Sequence, residues 1–318
     1  VLGAGPLGLA TADALVADGR RVRVVNRSGK VADAPAGVEL AAADLYSPAA
    51  VAMVTAGAEV VYQCAQPGYT EWPTKFPALQ AAIIDGVATN RARLVIAENL
   101  YMYGDTDGAP VREGLPHRAT GAKGRTRAAM AEAAFAAHAA GKLQVTAGRG
   151  SDFYGPRVLG SFFGERTIAP AVAGKPAEMY GNIDLPHTVT YIADFGRALA
   201  VLGTHDQSYG RAWHVPNDRP TITPREFMTL VAQAAGQTLR PNVLKRWQMQ
   251  LAGLFVPAAR EMLEMLYEVE KPYVVEAGTF ERTFGLRPTP IDGAVRETVA
   301  WFQQHLAQTE RAPARSNP

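Results

Sequence analysis

The chain has 318 residues, 47% of them hydrophobic, with one cysteine and a formal charge of +2; that is enough apolar residue for a large core in one two-lobed unit or two domains. Its Lys and Arg residues are scattered among the acids, which excludes the basic blocks that track a phosphate backbone and so speaks against a nucleic-acid partner. No apolar run reaches the roughly 18 residues that cross a bilayer, and the lone Cys64 excludes an internal disulfide framework and fits a reducing, cytoplasmic setting.

Only Val1 and Leu2 precede the glycine motif, so the first strand is expected to begin ahead of Val1. Gly3, Gly5 and Gly8 then form GxGxxG, followed by a helix over 7–18 and a strand over 21–26. In that setting Gly3 allows a tight turn, Gly5 a close approach of backbone to a pyrophosphate and Gly8 close packing of helix on strand. The helix N-terminus, at Pro6 and Leu7, offers unpaired N–H groups and partial positive charge to phosphates. The strand ends on Asn26, Arg27 and Ser28, where an acidic residue would select NAD through its ribose hydroxyls. A guanidinium there binds a 2′-phosphate instead, so NADP is the expected cofactor.

Further along, helices are expected over 48–55, 77–90 and 122–140, and strands over 60–63, 93–97 and 143–148. This βαβ rhythm predicts a Rossmann-type, doubly wound parallel sheet with helices on both faces. The second half loses the rhythm. Helices are expected over 224–236 and 257–270, with no regular strands between them, in a smaller, mostly helical substrate lobe. The expected organisation is a dinucleotide domain over 1–153, to which 188–202 returns, a lobe over 154–306 and a disordered tail over 307–318.

Several segments together resemble the extended and atypical short-chain dehydrogenase/reductases, the group of the NAD-dependent epimerases and dehydratases. They are the glycine loop, Asp44-Leu45, CAQP (64–67), ENLYMYG (98–104), RGSDFYGP (149–156) and VTYIADFGRALAVL (189–202). The resemblance implies that Asp44 and Leu45 pack on an adenine and that Cys64, Ala65 and Gln66 cross the cofactor. It also implies that Ser151 meets the nicotinamide side and that Asp152, Phe153 and Tyr154 lead into the substrate lobe. The catalytic pattern departs from the family. Aligned through Tyr103-Gly104, the family's hydroxyl residue falls on Asn99, and its YxxxK on Lys123 and Arg127.

Lys123 and Arg127 lie four apart on a helix and share a face. Arg127 is expected to reach the nicotinamide ribose and Lys123 the reacting oxygen, unless both belong to a solvated face. A strand extended through ENLYMYG would turn Asn99, Tyr101 and Tyr103 to one side. Asn99 would then orient a carbonyl and Tyr101 supply a proton. His187 is a candidate for substrate contact. The six histidines show no ligand spacing, and no metal is expected.

The first reading is an NADP-dependent oxidoreductase acting on the carbonyl or alcohol of a small organic substrate, with a homodimer as a possible assembly. Two alternatives stay open: a sugar-nucleotide epimerase or dehydratase, and a non-catalytic NADP-binding sensor, which the loss of YxxxK favours.

Overall fold

Short runs of β-branched residues become strands because their stiff side chains suit a pleated surface covered on both sides. In the computed structural model, which describes residues 1–311, β1 (Arg23–Asn26) pairs in parallel with β2 (Glu39–Ala42). A second parallel set runs β3 (Val60–Gln63), β4 (Arg93–Glu98), β5 (Val145–Arg149) and β9 (Ala212–His214). Leu2 bridges β1 and β3, with its N–H donating to Tyr62 O at 2.8 Å and Val1 O accepting from Val25 N at 2.9 Å. The sheet order is therefore β2-β1-Leu2-β3-β4-β5-β9, with the direction of build-up reversing beside the glycine loop. That reversal leaves a crevice at the carboxyl ends of the strands, the usual place for a ligand in such sheets.

Helices α1 (Pro6–Ala17) and α6 (Ile192–Thr204) cover one face. On the other face lie α2 (Pro48–Val54), α3 (Trp72–Thr89) and α4 (Ala122–Ala139). Helix α3 starts five residues before the expected position 77. Pro77 removes only one hydrogen bond, near the helix start, and Trp72 and Phe76, both buried, anchor the extra turn in the core. The return of the chain to the first domain extends past 202, because α6 is followed by the edge strand β9.

The lobe contains more strand than the sequence suggests. β6 (Phe153–Tyr154) pairs with β8 (Thr190–Tyr191), and β7 (Ala177–Tyr180) with β10 (Pro241–Leu244). β10 lies in the stretch expected to be strand-free; it pairs with a strand more than 60 residues away, and local periodicity carries no sign of that. Around these pairs pack α5 (Ile168–Val172) and α7 (Pro224–Ala234), the latter entered through a Thr223/Glu226 capping box.

The expected helix over 257–270 is broken. It reads α9 (Pro257–Met262), a 3₁₀ turn at Leu263–Met265 and α10 (Tyr267–Glu270), preceded by α8 (Arg246–Gly253). α11 (Gly278–Phe284) and the long α12 (Ile291–Arg311) complete the chain. The expected tail is corrected over 307–311, which is helical. Val295, Val299, Phe302 and Leu306 form a stripe at helical spacing that packs α12 on the lobe core. Positions 312–318 of that tail lie outside the described residues.

α1 and α6 meet closely at Gly196, where a Cβ would lie 2.5 Å from the backbone of Ala10. Backbone cannot swing aside, so a methyl group must push the helices apart. Gly196→Ala is expected to destabilise the protein by about 1–3 kcal/mol, read as a lower urea midpoint with an unchanged slope.

Candidate functional site

The glycine loop is built as its sequence requires. Gly3 has φ +107°, and a Cβ on it would sit 2.6 Å from Ala65 N, so the loop after β3 crosses directly against it. A Cβ on Gly8 would fall 2.0 Å from Gly3 O, whereas one on Gly5 would point into open space. Bonding within α1 begins with Leu9 N to Gly5 O at 2.9 Å. The Leu7 and Gly8 N–H groups precede that bond, and Pro6 has no N–H to leave unpaired. A cavity of about 370 Å³ opens here, lined by Ala4, Pro6, Asn26, Lys30, Arg157 and His305 among others. The loop thus has the close backbone packing, the exposed glycine and the free amides that fit a dinucleotide phosphate.

Around it the expected cofactor contacts divide. Asn26 closes the turn after β1: its Oδ1 accepts from Gly29 N at 2.6 Å and its Nδ2 donates to Lys30 O at 2.9 Å. Arg27 and Ser28 are left exposed at the rim. Asp44 is exposed and holds Tyr46 N at 3.0 Å. Leu45, expected on an adenine, is a core residue instead, because its side chain turns inward among Leu2, Val25, Val51 and Val61. Cys64 is half-buried beside Thr11, and burial pushes its thiol up to about 11. Gln66 is exposed.

A buried polar row crosses the sheet edge. Strand register sets Glu98 on β4 level with Arg149 on β5, and Arg149 level with His214 on β9. Arg149 Nε donates to Glu98 at 2.8 Å and its Nη1 to the Tyr103 hydroxyl at 2.7 Å. His214 Nδ1 donates to Glu276 O at 2.9 Å, so its Nε2 is free to accept from the Tyr103 hydroxyl at 2.9 Å. Burial, and with it the Arg149 charge, lowers the His214 pKa to about 3, so the imidazole stays neutral. Arg127 enters from α4, with Nη2 3.4 Å from Glu98 and its guanidinium over the Phe76 ring. Burial lowers its pKa too, yet its Nε has no partner.

Neither Lys123 nor Arg127 lies on a solvated face: they are 2% and 1% exposed. Lys123 is not aimed at an open reaction centre, however. Its ammonium is bound by Glu261 and lies 4.2 Å from the centre of the Tyr69 ring, while its backbone N–H donates to Glu264 at 2.9 Å. It therefore bolts the start of α4 to the lobe.

The expected wall of three residues is also corrected. β4 ends at Glu98, and Tyr101–Tyr103 is a 3₁₀ turn closed by Gly104 at φ +72°. Alternation stops there, so Tyr103 joins the buried row while Tyr101 lies beside Tyr69 and Trp72. Burial raises the Tyr101 pKa well above the ordinary phenol value, with the Tyr69 charge second. Asn99 Oδ1 is buried without a partner, as is Ser151 Oγ.

Of the expected substrate contacts, Tyr154 is core, packed on Tyr191 and Phe227, and Phe153 packs partly against the same cluster. His187 is 2% exposed and bonds Asp152 at 2.9 Å, so it backs Asp152 rather than lining the cleft. Sequence reasoning missed Glu98, Arg149, Glu261 and Glu268. Charged residues closing the apolar runs RLVIAE and VTAGR were the available signal for the first two.

A larger cavity, about 650 Å³, opens beyond β9 between Arg112, Arg211 and Arg282 and lies apart from the glycine loop. Two of its cations are already neutralised, Arg112 by Glu276 and Arg211 by Glu113. Among the described residues no cluster of His, Cys, Asp and Glu could hold a metal, and no helix is long and apolar enough to cross a membrane.

Residues 1–215 match the model of the NAD dependent epimerase/dehydratase family. Similar solved structures include UDP-glucuronic acid 4-epimerase from Bacillus cereus in complex with NAD (TM-score 0.75, 14% identity, 96% of this chain and 98% of that one). A double mutant of the dTDP-glucose 4,6-dehydratase DesIV from Streptomyces venezuelae, with NAD and DAU bound, gives TM-score 0.74 and 17% identity over 97% and 98% of the two chains. UDP-glucose 4-epimerase from Thermotoga maritima, with UDP-glucose, gives 0.75 and 16% over 96% and 98%. At these identities they share the fold. A search of curated proteins gave no match.

Two outcomes follow from the buried row. Glu98→Gln leaves two buried guanidiniums facing each other without an anion and is expected to cost about 3–5 kcal/mol in urea unfolding. His214 takes up its proton near 6.5 when unfolded and only near 3 when folded. Stability should therefore fall as pH drops through that window, by about 1.4 kcal/mol per pH unit. His214→Gln should show a shallower slope over the same range.

Proposed function

The chain belongs to the NAD dependent epimerase/dehydratase family, and we propose that it is an enzyme of that kind, oxidising and re-reducing a hydroxyl-bearing carbon of a sugar-nucleotide substrate. The observation that carries this reading is a set of buried polar atoms without partners at the carboxyl edge of the sheet. Among them are Arg127 Nε, Asn99 Oδ1 and Ser151 Oγ, one donor and two atoms able to accept, beside the acceptors Glu98 Oε1 and Gln63 Oε1. A buried polar atom left alone is costly, so the site is built for a polar ligand.

Bound here, a nicotinamide dinucleotide supplies a carbon that takes and returns a hydride. The amides of Leu7 and Gly8 would hold its phosphates, and Arg127 would donate to a ribose hydroxyl. Asn99 Oδ1 would accept from a substrate hydroxyl, fixing which carbon faces the ring. Asp152 and Phe153 would line the substrate side.

Within the cofactor class we favour NADP. Arg27 is exposed at the end of β1, beside a Ser28 held in the turn by Asn26 and Lys30, and no carboxylate at positions 26–28 would repel a 2′-phosphate. Arg27→Ala is expected to weaken NADPH by roughly 1.5–3 kcal/mol, the scale of a hydrogen bond to a charged group, and to leave NADH unchanged. Fluorescence titration of both nucleotides checks it, and equal affinity in the unmodified protein removes the claim.

A second reading, net reduction of a small uncharged carbonyl compound by NADPH, draws on the acidity of the cleft. Asp152, Glu261 and Glu264 stand on this side with Lys123 as the paired cation, a poor surface for a diphosphate. A panel of UDP-glucose, UDP-glucuronic acid, dTDP-glucose, aldehydes and ketones separates the two. The first reading expects product from a nucleotide sugar with no net change in cofactor absorbance. The second expects steady loss of NADPH with deuterium carried from cofactor into product. Tight cofactor binding with neither result removes both.

A further inference from the structure

Glu268, on α10, is 1% exposed. Its side-chain neighbours are the Tyr273 hydroxyl and the Asp152 carboxyl, and among the described residues no Lys or Arg pairs with it. A carboxylate so placed would lose its hydration and gain no countercharge, so the group keeps its proton. Burial first, and Asp152 second, push this acid well above the usual carboxylate range.

His187 fixes the proton count beside it. Its Nδ1 lies 3.0 Å from the Glu268 carbonyl oxygen, which can only accept, so Nδ1 carries hydrogen. Its Nε2 lies 2.9 Å from Asp152 Oδ2, and that contact needs one proton between the two atoms. Asp152 and His187 are then neutral as a pair, whichever atom holds the proton. Of the two, Asp152 is the one that reaches the cleft: its side chain is 13% exposed and that of His187 2%. Asp152 follows Ser151 at the end of β5 and acts electrostatically on Tyr69 and Tyr101, at the mouth where the loops after β3, β4 and β5 meet.

We propose that Asp152 exchanges the substrate's proton, with His187 as its positioning residue and Glu268 as an uncharged acid behind it, in the role that the tyrosine of YxxxK would have. This rests on the hydride reading above. In the oxidising direction the substrate C–H bond breaks and both its electrons go with the hydride to the cofactor. The O–H bond breaks, the carbon–oxygen double bond forms, and the released proton goes onto the Asp152–His187 pair, which becomes a neutral acid beside an imidazolium. In the reducing direction that proton returns to the oxygen. An ionised Glu268 would hold the proton on the pair, and so the uncharged form keeps the exchange reversible.

Two measurements need no substrate. Nitrogen NMR of the histidine rings in the full chain at neutral pH is expected to show His187 Nδ1 protonated. Infrared difference spectra of the unmodified protein against Glu268→Gln are expected to show loss of a protonated carboxyl C=O band. A bare Nδ1, or no such loss, overturns the proposal. With the nucleotide sugar or carbonyl compound that turns over in the panel, Asp152→Asn should lower kcat by roughly 10²- to 10⁴-fold and leave the cofactor dissociation constant in place. Tyr101→Phe and Lys123→Met should each lower kcat less. The reverse order overturns the assignment to Asp152 while the hydride reading stands; if nothing in the panel turns over, that reading fails and the two spectra alone decide the proton arrangement.

Discussion

Glu98 is a buried carboxylate between two buried guanidiniums, and the carboxyl edge of the sheet is organised by what it holds. Parallel pairing carries it level with Arg149 and, one strand further, with His214. From Arg149 a line of hydrogen bonds runs through the Tyr103 hydroxyl to a neutral imidazole and on to Glu276 O. Each donor in this line meets an acceptor, the condition under which a buried polar row rigidifies rather than weakens a core. Arg127 is the exception. It shares Glu98 at 3.4 Å and keeps an unpartnered Nε, so the row is complete on its β9 side and open on the side that meets the crevice.

Helix α4 therefore serves two walls with one face. Arg127 points to the sheet and Lys123, one turn earlier, to the lobe, where Glu261 and Glu264 receive its ammonium and the helix N-terminus. The break of α9 from α10 is part of the same arrangement. A continuous helix over 257–270 would set Glu261, Glu264 and Glu268 in one stripe. The 3₁₀ turn lets the first two engage α4 while Glu268 turns inward to Asp152 and Tyr273.

Most of the framework was legible in the sequence because its signals are local. GxGxxG before a periodic helix, short apolar strands such as RVVN, VVYQ and RLVIAE, and the fourfold spacing of Lys123 and Arg127 all sit within one or two turns of chain. The errors arise where distant contacts override local pattern. Leu45 and Tyr154 were assigned to ligands by their place in a motif, yet the core claims both. The alternation read through ENLYMYG fails once β4 ends at Glu98, because Tyr101–Tyr103 is a 3₁₀ turn closed by Gly104 at positive φ. Glu261 meets Lys123 across 138 positions, and no period or spacing announces such a pair.

The altered YxxxK positions have not simply lost their chemistry. Arg for Lys keeps a cation beside the sheet, in charge contact with Glu98 at 3.4 Å, and leaves a fork of donors of which Nε is still unpartnered. Lys for Tyr does the opposite to proton supply. If Lys123 gave its proton to a substrate oxygen, Glu261 would be left as a mostly buried carboxylate without its partner, and that cost falls on the transition state. An ion pair that locks the lobe is therefore a poor acid. The proton has to come from a group whose loss of it creates no unpaired charge, and among the described residues around the crevice the Asp152–His187 pair, which is cationic only while it holds the substrate's proton and returns to neutral on giving it back, meets that condition.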